Sequence, residues 1–263
     1  MDFTTYQQWF DDYTDQFLYH DSEKDYPFII KKIHTHRVCD AAVYICNDIS
    51  VSQKTRYIAQ LVALFHDLGR FVQYATYGTF RDSDSVNHAV QSIKDLARYR
   101  VLKNLSLKQR RIICNAIRYH NAAFIPHDQK DEETLFHIRL IRDADKIDIW
   151  RVFMDYFENR DKQKSDVIEL NIPNEPEISD TILNALFNKK IALITDMKTL
   201  NDFRLIQLGW IYDLNFRYSI QHVIKYNVIE KLTKDLPKRS EIQDLVQKLI
   251  HYCDTRLTNH EES

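Results

Sequence analysis

The dipeptide His66-Asp67 sets an imidazole beside a carboxylate at the end of an apolar helical pattern, Ile58, Leu61, Val62 and Phe65. Burying both groups without partners is costly, and a metal ion satisfies the two together. Taken alone, the pair reads more simply as an exposed helix end. His34-Thr35-His36-Arg37-Val38 changes that reading. Helical steps of three and four link Ile30, His34, Val38, Ala41 and Ile45 into one apolar stripe. His34 lies inside the stripe, whereas His36 shares a mostly polar face with Ile29, Lys32, Asp40 and Asn47. One inward histidine is usually a hydrogen-bonded core residue, so His34 gains meaning only in company.

The company comes from Arg142-Asp143-Ala144-Asp145-Lys146-Ile147-Asp148, which interrupts an otherwise apolar helical run. The stripe Ile138, Ile141, Asp145, Ile149 and Val152 turns Asp145 inward. Asp143 falls with Phe136, Leu140, Ile147 and Trp150, which is also apolar, so periodicity does not separate the two carboxylates. A buried carboxylate needs a metal, a cation or several donors. A salt-bridge network with Arg142 and Lys146 is the alternative. His88 follows Ser85-Val86-Asn87, and His120 closes the stripe Ile113, Ala116. The ordered set is His, His-Asp, His, His, Asp.

Helices must position these groups, because helical periodicity dominates the chain and strand-like alternation is scarce. An opening helix is predicted from about Thr4 to Tyr19, with Phe10, Tyr13 and Phe17 on one face. Pro27 suits the first turn of a second helix reaching Ile49. A third, Ser52 to Leu68, is expected to stop at Gly69. Tyr74 to Asn87 reads as a loop. Helices follow over about His88–Leu102 and Ser106–His120, with Ser106 as N-cap and Asn121 as stop. After a loop carrying Pro126 comes a helix from about Asp131 to Phe157 that is apolar almost all round, a pattern typical of burial. Asn159 to Glu177 reads as a polar connection with a short extended piece at Val167–Ile172. The rest, to about Tyr252, is helical, with a polar tail from Asp254 to Ser263. The expectation is one domain over residues 1–160 and a C-terminal helical extension over 161–263 packed on it.

The 263 residues suffice for a substantial core. With 36 basic and 38 acidic residues the net charge is -2, which argues against nucleic acid as a partner. No apolar run approaches the roughly 18 residues of a membrane span. Met1-Asp2-Phe3-Thr4 lacks the basic start and apolar core of a signal peptide. A cytoplasmic protein with no membrane partner is expected. Cys39, Cys46, Cys114 and Cys253 form no CxxC pair and read as free thiols. The three glycines, Gly69, Gly78 and Gly209, cannot assemble a P-loop or GxGxxG turn. Phosphate chemistry would therefore fall to metals and arginines.

The ordered set resembles the HD superfamily of metal-dependent phosphohydrolases, whose signature runs H…HD…D with two intervening histidines in binuclear members. His34-Thr35-His36-Arg37-Val38 looks like the first motif and Ala63-Leu64-Phe65-His66-Asp67-Leu68-Gly69-Arg70 like the second. Asn87-His88-Ala89 and Ala116-Ile117-Arg118-Tyr119-His120 match the intervening histidines, and Arg142 to Asp148 the last motif. Gly78-Thr79-Phe80-Arg81-Asp82 and Trp210-Ile211-Tyr212-Asp213 look like features of an uncharacterised bacterial HD subgroup. The resemblance covers about Phe28 to Phe153.

It implies an all-α helical bundle with additional C-terminal helices, and it selects Asp145 over Asp143 as the ligand. His34, His66, Asp67 and Asp145 would hold one divalent ion, such as Mn²⁺, Fe²⁺ or Zn²⁺, since mixed nitrogen and oxygen ligands suit all of these. A second ion would share Asp67 with His88 and His120. Two ions roughly 3.5–4 Å apart can activate water and stabilise an in-line phosphoryl transition state. Arg37, Arg70 and Lys146 neighbour ligands and are expected to bind phosphate oxygens, as the arginine fork does well. Asp67, Arg70 and Lys146 are the residues expected to serve catalysis. The implied substrate is a small phosphorylated molecule, a nucleotide or related ester. The absence of a GYP motif lowers the cyclic-dinucleotide option. The same ligand pattern also serves diiron oxygenases, and a non-catalytic metal-binding module is the third reading. The sequence leaves the oligomeric state open.

Overall fold

The computed structural model describes residues 2–160 and 165–259. Among these every regular element is helical, and no helix is long and apolar enough to cross a membrane. The chain divides into two compact units, Met1–Asp148 and Ile149–Ser263. The division lies inside a long helix, α7 (Glu132–Asn159), ahead of the polar stretch where the sequence reading draws its boundary.

In the first unit α1 (Phe3–Asp15) buries Tyr6, Phe10 and Tyr13, the i, i+4, i+7 face of its pattern. These rings join Phe65, Phe71 and Phe28 in an aromatic layer, with Phe10–Phe71 centroids 5.9 Å apart at 86° and Phe28–Phe71 at 6.3 Å. Each such ring contributes about 1.5–3 kcal/mol on burial. α2 (Ser22–Asp48) starts five residues before Pro27. The Asp21 carboxylate caps it by accepting from the backbone of Glu23 and Lys24, both at 3.1 Å, and the acidic Glu23 and Asp25 suit the dipole of its first turn. Pro27 therefore sits inside the helix, beyond the first turn. α3 (Gln53–Phe65) packs against α1, α2 and α6 (Leu107–Tyr119), and every side chain from Leu61 to Phe65 is buried.

Gly69 does not end the third helix for good. After a turn at His66–Leu68 the chain re-enters a helix, α4 (Gly69–Tyr77), which Gly78 closes at φ 66° while donating its N–H to Tyr74 O. The loop before α5 (His88–Arg98) is thus shorter than predicted and carries a 3-10 turn at Asp82–Asp84. Glycine is required at position 69 for proximity. A Cβ there would meet His88 O at 2.3 Å and Ser92 N at 2.6 Å. Gly69 donates its N–H to Ser92 Oγ at 2.8 Å, and Ser92 Oγ lies 3.0 Å from both His66 O and His88 O. One buried hydroxyl therefore ties together the two backbone segments that carry His66 and His88.

In the second unit the predicted extended piece at Val167–Ile172 is instead a short helix, α8 (Asp166–Glu169), followed by Leu170 and Asn171 at positive φ. Residues 161–164 of the expected connection lie outside the described residues. The buried Glu169 accepts from Arg160 Nε at 2.6 Å and from the Tyr156 hydroxyl. α9 (Asp180–Phe187), α10 (Leu200–Gly209), α11 (Arg217–Lys225), α12 (Val228–Thr233) and α13 (Ser240–Asn259) enclose an apolar core that includes Trp150, Leu186, Leu205, Ile211 and Leu249. α13 extends well into the predicted tail, of which residues 260–263 lie outside the described residues.

Candidate metal centre

Four histidines from four segments of the first unit point the same ring nitrogen at one place. Each uses Nδ1 as an anchor. His34 Nδ1 lies 2.8 Å from Asp148 Oδ2. His66 Nδ1 lies 2.7 Å from Ala63 O, and His120 Nδ1 lies 2.7 Å from Ile117 O. His88 Nδ1 lies 2.8 and 2.9 Å from the two oxygens of Asp82. Every anchor is an acceptor, so Nδ1 is the nitrogen that carries a proton, and in the neutral ring Nε2 is left bare. An oxygen that accepts from the far ring nitrogen and so fixes the tautomer is how metal-binding imidazoles are prepared.

The bare nitrogens meet two carboxylates. Asp67 Oδ2 faces His34 Nε2 at 3.7 Å and His66 Nε2 at 3.8 Å. Asp67 Oδ1 faces His88 Nε2 at 3.3 Å and His120 Nε2 at 3.8 Å. Asp145 Oδ1 adds to the first side, 3.1 Å from His34 Nε2 and 3.6 Å from His66 Nε2. All but Asp145 are buried, and Asp145 is partly exposed.

The buried nitrogens are poorly satisfied by protein alone. His34 Nε2 and His66 Nε2 have no aligned hydrogen-bond partner among the described residues. His88 Nε2 and His120 Nε2 stand 3.0 Å apart; with both Nδ1 atoms protonated, two lone pairs face each other there unless a proton or a metal ion is held between them. Two overlapping sets, His34 with His66 and Asp145, and His66 with Asp67 and His120, bring their ligand atoms close enough to hold a metal ion. Nitrogen and carboxylate donors of this kind suit a divalent first-row ion.

Charge at the site is strongly structured. Burial alone would raise Asp67, but Lys31 and Arg70, with His66 and His88, hold it well below the usual carboxylate range. Burial is likewise outweighed at Asp145 by the neighbouring His34 and His66. Burial and Lys31 push His34 down, yet Asp145 and Asp148 outweigh them and hold it up at about 9. Without a metal, that ring keeps a proton a metal ion would have to displace. His88 is pushed down by burial and by Arg70, and His120 falls to about 3 through burial and the two histidines beside it. Burial would raise Asp82, but the His88 bond and Arg70 bring it to about 2.

His36 lies elsewhere, 3.0 Å from Asp11 Oδ1 on the far side of α2. Arg70 lies at the centre. Its Nε approaches Asp67 Oδ1 at 3.3 Å, and its Nη1 donates to Gln73 Oε1, Phe80 O and Asp82 Oδ1. Arg37 Nη1 is 3.7 Å from Asp148 Oδ1 and is partly exposed. Lys146 is buried and donates from Nζ to Arg142 O at 3.1 Å. Asp143 is fully buried.

Several neighbours escape a reading of the sequence. Lys31 Nζ lies 2.7 Å from Asp67 Oδ2. Its position three residues before His34 put it on the same helical face, so spacing was a usable signal. Asp148, three residues after Asp145, offered the same clue. Asp82 lies in a loop without periodicity, and only the Gly78–Asp82 segment noted in the sequence pointed towards it. Arg142 donates from Nη1 to the carbonyls of Tyr119, His120 and Ala122 and so pins the end of α6 that presents His120.

Residues 32–150 match the family model described as HD domain. No curated protein and no solved structure matches the chain.

Proposed function

Taking residues 32–150 as an HD domain, a family made up generally of phosphohydrolases, we propose that this chain is a metal-dependent hydrolase of a small phosphate ester. The observation that carries the reading is the convergence of four Nδ1-anchored imidazoles on Asp67 and Asp145. A structural metal would be closed off by its ligands, and the partial exposure of Asp145 supports an open one here.

His34, His66, Asp67 and Asp145 would hold one divalent ion, and Asp67, His88 and His120 a second. Ions in such a site act as Lewis acids on phosphoryl oxygens and make coordinated water a better nucleophile near neutral pH. The chain supplies the rest. Asp67 turns one oxygen to each histidine pair and so keeps both halves of the site in register. Arg70 and Arg37 present guanidinium groups that can take non-bridging phosphate oxygens, and Arg70 is held for this by Asp67 and Asp82. Lys146 adds a buried positive charge on the turn that carries Asp145. Asp67, Asp145 and Asp82 are kept ionised by their neighbours, so they act as ligands and acceptors and not as proton donors.

The test is metal analysis of the purified protein, followed by a screen of phosphate esters and nucleotides with Mn²⁺. Bound divalent metal and metal-dependent phosphate release are expected. Oxygen uptake without phosphate release would replace hydrolysis with an oxygenase reading.

A further inference from the structure

Lys31 has no part in the ligand set, yet it makes the closest polar contact to Asp67, Nζ to Oδ2 at 2.7 Å. Arg70 takes the other oxygen of the same carboxylate at 3.3 Å. The two cations also share one aromatic ring, with Lys31 Nζ 5.5 Å and Arg70 Cζ 5.9 Å from the centroid of Phe80. Their side chains are 17 % and 16 % exposed, against 4 % for Asp67. They therefore stand over the carboxylate, between it and solvent.

Their hydrogen-bond capacity differs. Arg70 commits Nε and Nη1 to Asp67, Gln73, Phe80 and Asp82. Lys31 carries three N–H donors, and Asp67 is its one hydrogen-bond partner among the described residues. The remaining donors are left over on a flexible four-carbon stem whose side chain is partly exposed. A metal ion drawing on Asp67 Oδ2 would compete with Lys31 for that oxygen and leave the ammonium in need of another anion.

We propose that Lys31 is a substrate-binding residue that donates to a non-bridging phosphoryl oxygen of the ester and of the phosphate released from it. The proposal rests on the phosphohydrolase reading above. An ammonium suits this task as a mobile point charge, while the Arg70 fork stays fixed in its network.

The experiment titrates inorganic phosphate into the Mn²⁺-loaded protein by calorimetry, with metal content measured on the same samples. Wild type is compared with Lys31→Met, Lys31→Gln and Lys31→Arg, and melting curves confirm folding. In the methionine and glutamine variants metal content should hold, and phosphate affinity should fall by roughly tenfold or more, the loss typical of one charge-assisted hydrogen bond. Lys31→Arg should recover most of it. The metal affinity of the methionine variant should equal or exceed wild type, because a competitor for Asp67 is gone. Phosphate affinity unchanged in both neutral variants would overturn the assignment while leaving the hydrolase reading intact. Metal loss in both would show Lys31 to be a structural part of the centre and overturn it too. Wild type that binds metal but neither binds phosphate nor hydrolyses any ester would bring down both readings.

Discussion

Gly69 and His88 meet backbone to backbone: a methyl group on Gly69 would stand 2.3 Å from the His88 carbonyl oxygen. The start of α4 is thereby pressed against the start of α5, with Ser92 Oγ bridging them. The two nearest neighbours of the added atom are backbone, which cannot swing away. Gly69→Ala should therefore cost about 1–3 kcal/mol or more and move His88 relative to Asp67. The expected result is a lowered melting temperature together with reduced metal content. An alanine variant with wild-type melting and metal content would show that the two helices can part freely.

That contact also marks the limit of what the sequence could say. A glycine after an apolar helical run has two uses, a helix stop or a close approach, and the residue type does not choose between them. His34 was legible because α2 has a polar face to contrast with its buried one. Asp143 and Asp145 were not separable, because α7 is buried nearly all round from Leu140 to Asp148 and periodicity loses its reference there. The helical class follows from periodicity and from a cap such as Ser106, while the helices α4 and α8 escaped it. The Asp82 network depends on a loop folding back onto Arg70, Gln73 and His88, which no local pattern encodes.

The two histidines of the first motif should behave differently. His34 Nε2 faces Asp67 and Asp145, whereas His36 pairs with Asp11 at a partly exposed position. His34→Ala should lose metal, and His36→Ala should keep it with stability changed by less than about 1 kcal/mol, as for other exposed ion pairs. Metal analysis of both variants decides. The reverse pattern would place the motif two residues off.

The carboxylates of α7 should separate into three roles. Asp145→Asn should sharply weaken metal binding, because Asp145 lies 3.1 Å from His34 Nε2 in the open part of the site. Asp148→Asn should act through His34, whose Nδ1 it accepts from at 2.8 Å. An amide there can offer a donor where an acceptor is needed, and outer-shell losses of this type run to about 10–100-fold in affinity or activity. Asp143→Asn should lower stability more than metal affinity. Metal titrations and melting curves on the three variants check the order. Equal metal loss in all three would show that α7 acts as a unit.

The geometry around Asp67 makes its strongest claim about the number of ions. Its two oxygens face two histidine pairs, His34 with His66 and His88 with His120. In the second pair both Nδ1 atoms are committed to acceptors, Asp82 and Ile117 O. Their Nε2 atoms, 3.0 Å apart, are thus left as facing lone pairs. A second cation would relieve that repulsion. Asp82, held in turn by Arg70, Gln73 and Asn121, keeps His88 from turning away. His88→Ala or His120→Ala should therefore leave the ion at His34, His66 and Asp145 in place and lose the other. Phosphate release should fall steeply, since a two-ion site stabilises both attacking and leaving oxygens. Asp82→Asn should reproduce the effect more weakly, by loosening His88 without removing it. A mononuclear site makes the opposite forecast. Stoichiometry would then stay near one ion per chain in wild type and variants alike, and the loss would appear as a raised KM with little change in kcat. Metal counting beside steady-state kinetics on the same preparations tells the two apart.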